Sequence, residues 1–298
     1  MNIILKLILI IFLTSNIFAN NQKKERKYNL VFGVAKKSSV LTKFEDANVA
    51  IKIWLDDIGS LYDADIDMFF YDNTAKLYEH FNENKVNVAL FDLPYFFKYR
   101  KKIDLSKDTN WSILIDNEKF THYYLIGKND KKFNGFNDFK NKILSIKRDD
   151  EIAKIWLNKK SYEINKKKAS KVLKLVKEES KDRTVLFNVF FGKADYAVIR
   201  EKAWETIVSF NPAIKKRVKI IEKSNVKFLP FLGVVNKNTP SKAAKLFFQE
   251  SVNLSKLEGG NKVLKALKFN RIYQLADEDL VELDKYYNDY FRLEKKYK

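Results

Sequence analysis

Charged and hydroxyl-bearing residues sit directly behind short apolar runs in this chain. The segments are Lys36-Lys37-Ser38-Ser39, Asp72-Asn73-Thr74, Asp92 with Tyr95, Arg148-Asp149-Asp150 and Arg200-Glu201. Cationic side chains and hydroxyls hold carboxylate or phosphoryl oxygens, and carboxylates hold amines. Such a set suits a small polar or zwitterionic ligand. Lys37, Arg148 or Arg200 would take its acidic group, and Asp92 or Asp150 its amine. Ser38, Ser39, Asp72 and Tyr95 complete the candidate contacts. Loop ends are also polar simply because they are solvated, so these residues matter only if the fold brings them together.

Catalytic chemistry finds little support. His80 and His122 are isolated, with no second ligand at metal spacing. No Gly-x-Ser-x-Gly, phosphate-binding Walker loop or His-Glu-x-x-His occurs. Zero cysteines remove a thiol nucleophile and a disulfide framework. No enzyme activity, cofactor or metal is expected.

The elements that must position the candidates alternate. Residues 28–34 read as a strand, and Phe44, Ala47, Ile51, Trp54, Leu55 and Ile58 recur at helical steps over 42–61. Strands at 65–71 and 87–91 flank a helix at 74–82. The middle repeats the rhythm: strands at 122–126, 143–146, 171–176, 194–199 and 218–221, with helices at 136–141, 149–158, 183–191 and 201–210. Residues 228–235 are extended. Helices follow from Pro240 to 257, over 261–268 and over 278–295. Continuous apolar strands between helices predict mostly parallel sheets covered on both faces, with ligands beyond the carboxyl ends of the strands. The stripe of Leu280, Leu283, Tyr287 and Tyr290 should pack on the first half of the molecule, a partner-binding helix being the alternative.

Residues 1–19 have the order of a cleaved export signal: Lys6, a short apolar stretch, and Ala19 at the end. Lys6 and Thr14-Ser15-Asn16 interrupt the run, which argues against a membrane anchor, and no cysteine is present for lipid attachment. Residues 20–27 read as a flexible leader. The net charge is +19, but only eight of the 57 basic residues are arginine and the lysines are scattered, so nucleic acid is not the expected partner.

Five stretches in order, FGVA, NKVNVALFDLPYFFKYRK, FNGFNDFKNKILSIKRDDE, FNVFFGKADYAVIREKAWE and FLPFLGVVNKNTP, resemble the type II periplasmic solute-binding proteins. Within them the chain is similar to the phosphate/phosphite/phosphonate-binding (PhnD-like) family. The resemblance covers nearly all of the chain after the leader. It implies an α/β fold of two lobes, 28–121 plus 226–298 and 122–225, joined by crossings near 120–124 and 225–230 and closing over a ligand by hinge motion. It departs from the family at Arg148-Asp149-Asp150-Glu151, where relatives carry a Ser-Thr-Ser-Gly type sequence, and at Asp92, where a glycine usually precedes the proline. Repulsion between like charges about 4 Å apart is roughly 4 kcal/mol at an effective dielectric near 20, so these carboxylates oppose a bound dianion.

The function that follows is a monomeric periplasmic receptor, in a Gram-negative periplasm, delivering a small phosphonate-like or zwitterionic ligand to an inner-membrane ABC permease. The alternative is a ligand-sensing subunit that signals to a membrane receptor. An exported hydrolase lacks a nucleophile–base pair.

Overall fold

The computed structural model describes residues 27–36, 47–103, 105, 110–115, 117–133, 136–256 and 258–297. The expected export signal, 1–19, and residues 20–26 of the expected leader lie outside them.

Two mixed sheets organise the chain. The first has the order β11-β4-β10-β3-β1-β2, from β1 (Tyr28–Ala35), β2 (Ala64–Tyr71), β3 (Val88–Phe91), β4 (Trp111–Leu114), β10 (Leu232–Val235) and β11 (Arg271–Gln274). The second has the order β7-β6-β8-β5-β9, from β5 (Tyr123–Lys128), β6 (Ile143–Lys147), β7 (Leu175–Glu179), β8 (Tyr196–Arg200) and β9 (Val218–Lys223). Strands β2-β1-β3 and β7-β6-β8 are parallel. The pairs β3–β10, β10–β4 and β4–β11 are antiparallel on the first sheet, and the pairs β8–β5 and β5–β9 on the second. The parallel strands carry the helical crossovers that the alternating pattern predicts. At the β4–β10 pairing, the Trp111 ring lies where a Cβ on Gly233 would fall, 2.1 Å from Cε2, so only glycine fits.

Helices α1 (Asn48–Tyr62), α2 (Thr74–Asn82) and α3 (Leu93–Tyr99) belong to the first sheet. Helices α4 (Glu151–Asn165), α5 (Ala169–Val172), α6 (Asp182–Phe190) and α7 (Glu201–Phe210) belong to the second. After β10 come α8 (Ser241–Asn253), α9 (Glu258–Leu267) and α10 (Glu278–Tyr297). Asn141 takes φ 62°, a left-handed turn position that asparagine tolerates. The expected strand over 171–176 is instead the short helix α5 followed by β7, shifted along the chain.

The chain passes between the sheets twice, and the two segments pair with each other. Thr121 and Phe228 exchange backbone hydrogen bonds of 2.9 and 2.8 Å. Ser224, buried, donates to the Val226 carbonyl and accepts the Tyr123 N–H at 3.0 Å.

Helix α10 spans both halves. Tyr287 stacks on Phe97 of α3 at 4.9 Å, Tyr286 meets Phe228 edge-on at 5.2 Å, and Tyr290 lies 6.3 Å from Tyr162 of α4. The stripe predicted to pack on the first half therefore packs on both. One contiguous apolar core runs from the first sheet through α3, α10 and α4 onto one face of the second sheet. A smaller core, with Val185, Ala197 and Trp204, covers the other face.

Candidate functional site

A cavity of about 630 Å³ lies between the sheets, walled by the crossing segments and by the starts of α3, α4, α6 and α7. Helix N-termini carry partial positive charge, and four point at one space. Each brings its own carboxylate.

On the first wall, Asp92 caps α3. Its Oδ1 accepts the Tyr95 N–H at 2.9 Å, and its Oδ2 accepts the Thr74 hydroxyl at 3.1 Å. Leu93-Pro94 follows, a sequence that sets the first-turn backbone without needing the proline N–H.

On the second wall, Asp150 caps α4, with Oδ1 accepting the Ala153 N–H at 3.1 Å and the Tyr123 hydroxyl at 2.7 Å. Arg200, at the end of β8, places Nε 3.7 Å from Asp150 Oδ2 and donates from Nη2 to Asp182 Oδ2 at 2.8 Å. Asp182 opens α6. Asp150 is buried at 6% exposure, while the Arg200 side chain is 25% exposed toward the cavity. Burial works against the guanidinium charge, but Asp182 and Asp150 outweigh it and hold its pKa above the ordinary arginine value. Burial, reinforced by Asp150, pushes the Tyr123 hydroxyl well up, so it stays a donor.

Glu201 opens α7 and ties it to the crossing strand. It accepts the Tyr124 hydroxyl, Lys223 Nζ at 3.0 Å and the His122 N–H at 3.4 Å. Burial would raise its pKa, but the Tyr124 hydroxyl, Lys223 and the backbone N–H together bring it below the usual value. His122 Nδ1 lies 2.8 Å from the Ser224 carbonyl, so Nδ1 carries a proton. Burial is the main cause that lowers the His122 pKa.

Among the described residues, the cavity wall carries Asp92, Glu118, Asp149, Asp150, Glu151, Asp182, Glu201 and Glu205 against Lys119, Arg183, Arg200, Lys202, Lys223 and Lys227. Eight carboxylates against six cations make this wall mildly acidic in a chain of net charge +19.

Of the candidates read from the sequence, the structure brings Asp92, Asp150 and Arg200 to the cavity. Lys37, Ser38 and Ser39 lie outside the described residues. Asp72 is exposed and pairs with Lys36 at 3.3 Å, away from the wall. Tyr95 packs into an aromatic row with Tyr99, at 4.5 Å, and Tyr78. Arg148 is exposed and off the wall, because its N–H bonds the Glu179 carbonyl and extends the β6–β7 edge outward. The pairing of Arg200 with Asp150 and Asp182 also changes its expected role, since its charge is already balanced within the protein. Asp182 is not among the sequence candidates, because a strand ending at 176 does not put it behind a strand end; with β7 running to Glu179, Ser180-Lys181-Asp182 follows directly. His122, treated as an isolated residue, lines the cavity.

A two-sheet molecule with a polar cavity at its double crossing has the architecture of a cleft-type solute receptor. The chain belongs to the periplasmic substrate-binding family of phosphonate ABC transporters, whose model matches residues 39–280. It is thus the solute-binding component of an ABC uptake system, and the family assignment favours transport over the signalling alternative. The fold is similar to that of a binding protein of an ABC phosphonate transporter from Pseudomonas aeruginosa, at 14% identity and TM-score 0.59 over 89% of this chain and 87% of that one. It is also similar to PhnD1 from Prochlorococcus marinus in complex with methylphosphonate, at 10% identity and TM-score 0.57 over 87% and 96%. A Xanthomonas citri protein bound to ATP aligns at 9% identity and TM-score 0.64 over 91% and 99%. No curated protein matches the chain. Among the described residues, no helix is long and apolar enough to cross a membrane.

Proposed function

We propose that this receptor captures a small polar ligand in the cavity between the sheets, phosphonate-like or zwitterionic, and delivers it to a membrane permease as a monomer without performing a reaction. The observation that carries this reading is the placement of a cavity of about 630 Å³ at the two crossing segments, lined by groups of both charges. Its volume suits a ligand of small-molecule size. The pairing at Thr121 and Phe228 supports a hinge there, with the two lobes as 28–121 plus 226–298 and 122–225. A ligand touching both walls favours the closed state by the contacts it gains there. Residues 1–19 serve as the export signal, cleaved after Ala19, and place the receptor in the periplasm.

The test is a thermal-shift screen of the purified mature chain against amino acids, phosphonates, phosphate, organic acids and amines. A ligand at 100 times its dissociation constant adds about 2.7 kcal/mol of stability, an unmistakable upward shift. A screen in which no small solute moves the transition would overturn the receptor reading.

A further inference from the structure

We infer that Asp150 is the cleft's built-in counter-anion, a specificity-determining residue whose carboxylate fills the position a free phosphate-like oxyanion would take. This rests on the cavity being the ligand site. Two hydrogen-bond donors and a cation converge on the Asp150 carboxylate: the α4 N-terminus through Ala153 N–H at 3.1 Å, the buried Tyr123 hydroxyl at 2.7 Å, and the Arg200 guanidinium, ion-paired with Nε at 3.7 Å. A helix terminus, a neutral hydroxyl and a fixed cation are the partners that an oxyanion needs. Capping a helix requires only the first of them. The tyrosine and the guanidinium are surplus to a cap, and their geometry is explained by the charge of the group they surround.

The same arrangement limits what else can enter. Arg200 Nε has no hydrogen-bond partner of its own, while Nη2 is committed to Asp182 at 2.8 Å. An incoming dianion would face both carboxylates before reaching the guanidinium. Asp150, at 6% exposure, cannot swing into water without abandoning the α4 cap and the Tyr123 bond together. A monoanion meets the same repulsion at about half the strength, whereas a ligand bearing a cationic group is attracted.

Replacing Asp150 with serine keeps a capping oxygen and vacates the carboxylate's volume and charge. Calorimetric titration with inorganic phosphate and with methylphosphonate should show no binding by the wild type and at least a roughly tenfold gain, about 1.4 kcal/mol, in Asp150→Ser. Asp150→Asn fills the same volume without charge and should gain little. Adding Tyr123→Phe to Asp150→Ser should remove part of the gain. Tight phosphate or methylphosphonate binding by the wild type, a folded Asp150→Ser without gain, or an equal gain in Asp150→Asn would each overturn the inference. Should the serine variant not fold, wild-type crystals soaked in tungstate decide: tungstate density at Arg200 overturns it, and density confined elsewhere supports it. A wild type that binds no solute while Asp150→Ser gains phosphate would count against the receptor reading alone. A wild type that binds another solute while Asp150→Ser gains nothing would count against this inference alone.

Discussion

The two walls of the cavity solve one electrostatic problem with different groups. Each presents a helix start capped by a buried aspartate, Asp92 at 9% and Asp150 at 6% exposure. Asp92 is held by a threonine hydroxyl and a backbone N–H. Asp150 sits in a chain of charge, with Arg200 between it and Asp182. A buried ion chain links several elements and depends on every member. The second wall, joining α4, α6 and β8 through one guanidinium, should therefore be the more fragile to mutation.

Arg200→Ala is the most severe way to test that contrast. It leaves the buried Asp150 without its cation and Asp182 with Lys147, 3.9 Å away, and unpairing a buried charge is strongly destabilising. Allowing for the partial exposure of Arg200, a loss of about 3 kcal/mol is expected in urea unfolding. A loss no larger than that of the first-wall variants would erase the distinction. Asp92→Ala removes a helix cap and a hydroxyl partner and should cost about 1–2 kcal/mol by the same measurement. Thr74→Val keeps the shape and deletes one donor to Asp92, for about 1 kcal/mol.

The smallest effect lies in the pH profile and separates the crossing from the first wall. Burial lowers the His122 pKa below its ordinary 6.5. Between that value and the lowered one the unfolded chain binds a proton that the folded chain does not. The contribution is thus complete above about pH 6.5 and falls away as pH drops. Glu201, also lowered from 4.5, contributes fully above that value and is lost as pH falls further. Melting temperature should decline in two stages on acidification. His122→Gln should abolish the first stage, and Glu201→Gln should reduce the second, to which Asp195, also held below its usual value, still contributes. A single stage unaffected by His122→Gln would show that the crossing is insensitive to histidine charge.

Much of this architecture was legible because the signals are local. Ile51, Trp54, Leu55 and Ile58 announce α1 by period, and the Val88–Phe91 run announces a strand buried on both faces. Asp92 and Asp150 were found as strand-end residues, yet their capping role was not, since a cap is defined by which N–H it receives. Strands β4 and β11 went unread: each has four residues, and each is fixed by a partner far away in sequence. The link from Arg200 to Asp182 was equally invisible, because it depends on β8 lying beside β6 rather than on any spacing. Asp72 and Tyr95 satisfied the strand-end rule in sequence and failed it in space.

Helix α10 has a mechanical consequence. It grips Phe97 on one side and Tyr162 on the other, so the molecule is joined by three ties rather than two. Two strands alone would behave as a free pivot. A rigid strut fastened to both arms converts that pivot into a spring, whose rest angle is set by where the tyrosines of the strut seat. On the proposed hinge, opening the arms would either peel Tyr290 and Tyr297 from Tyr162 or carry the whole strut with one arm, and the aromatic contact broken first would set the stiffness.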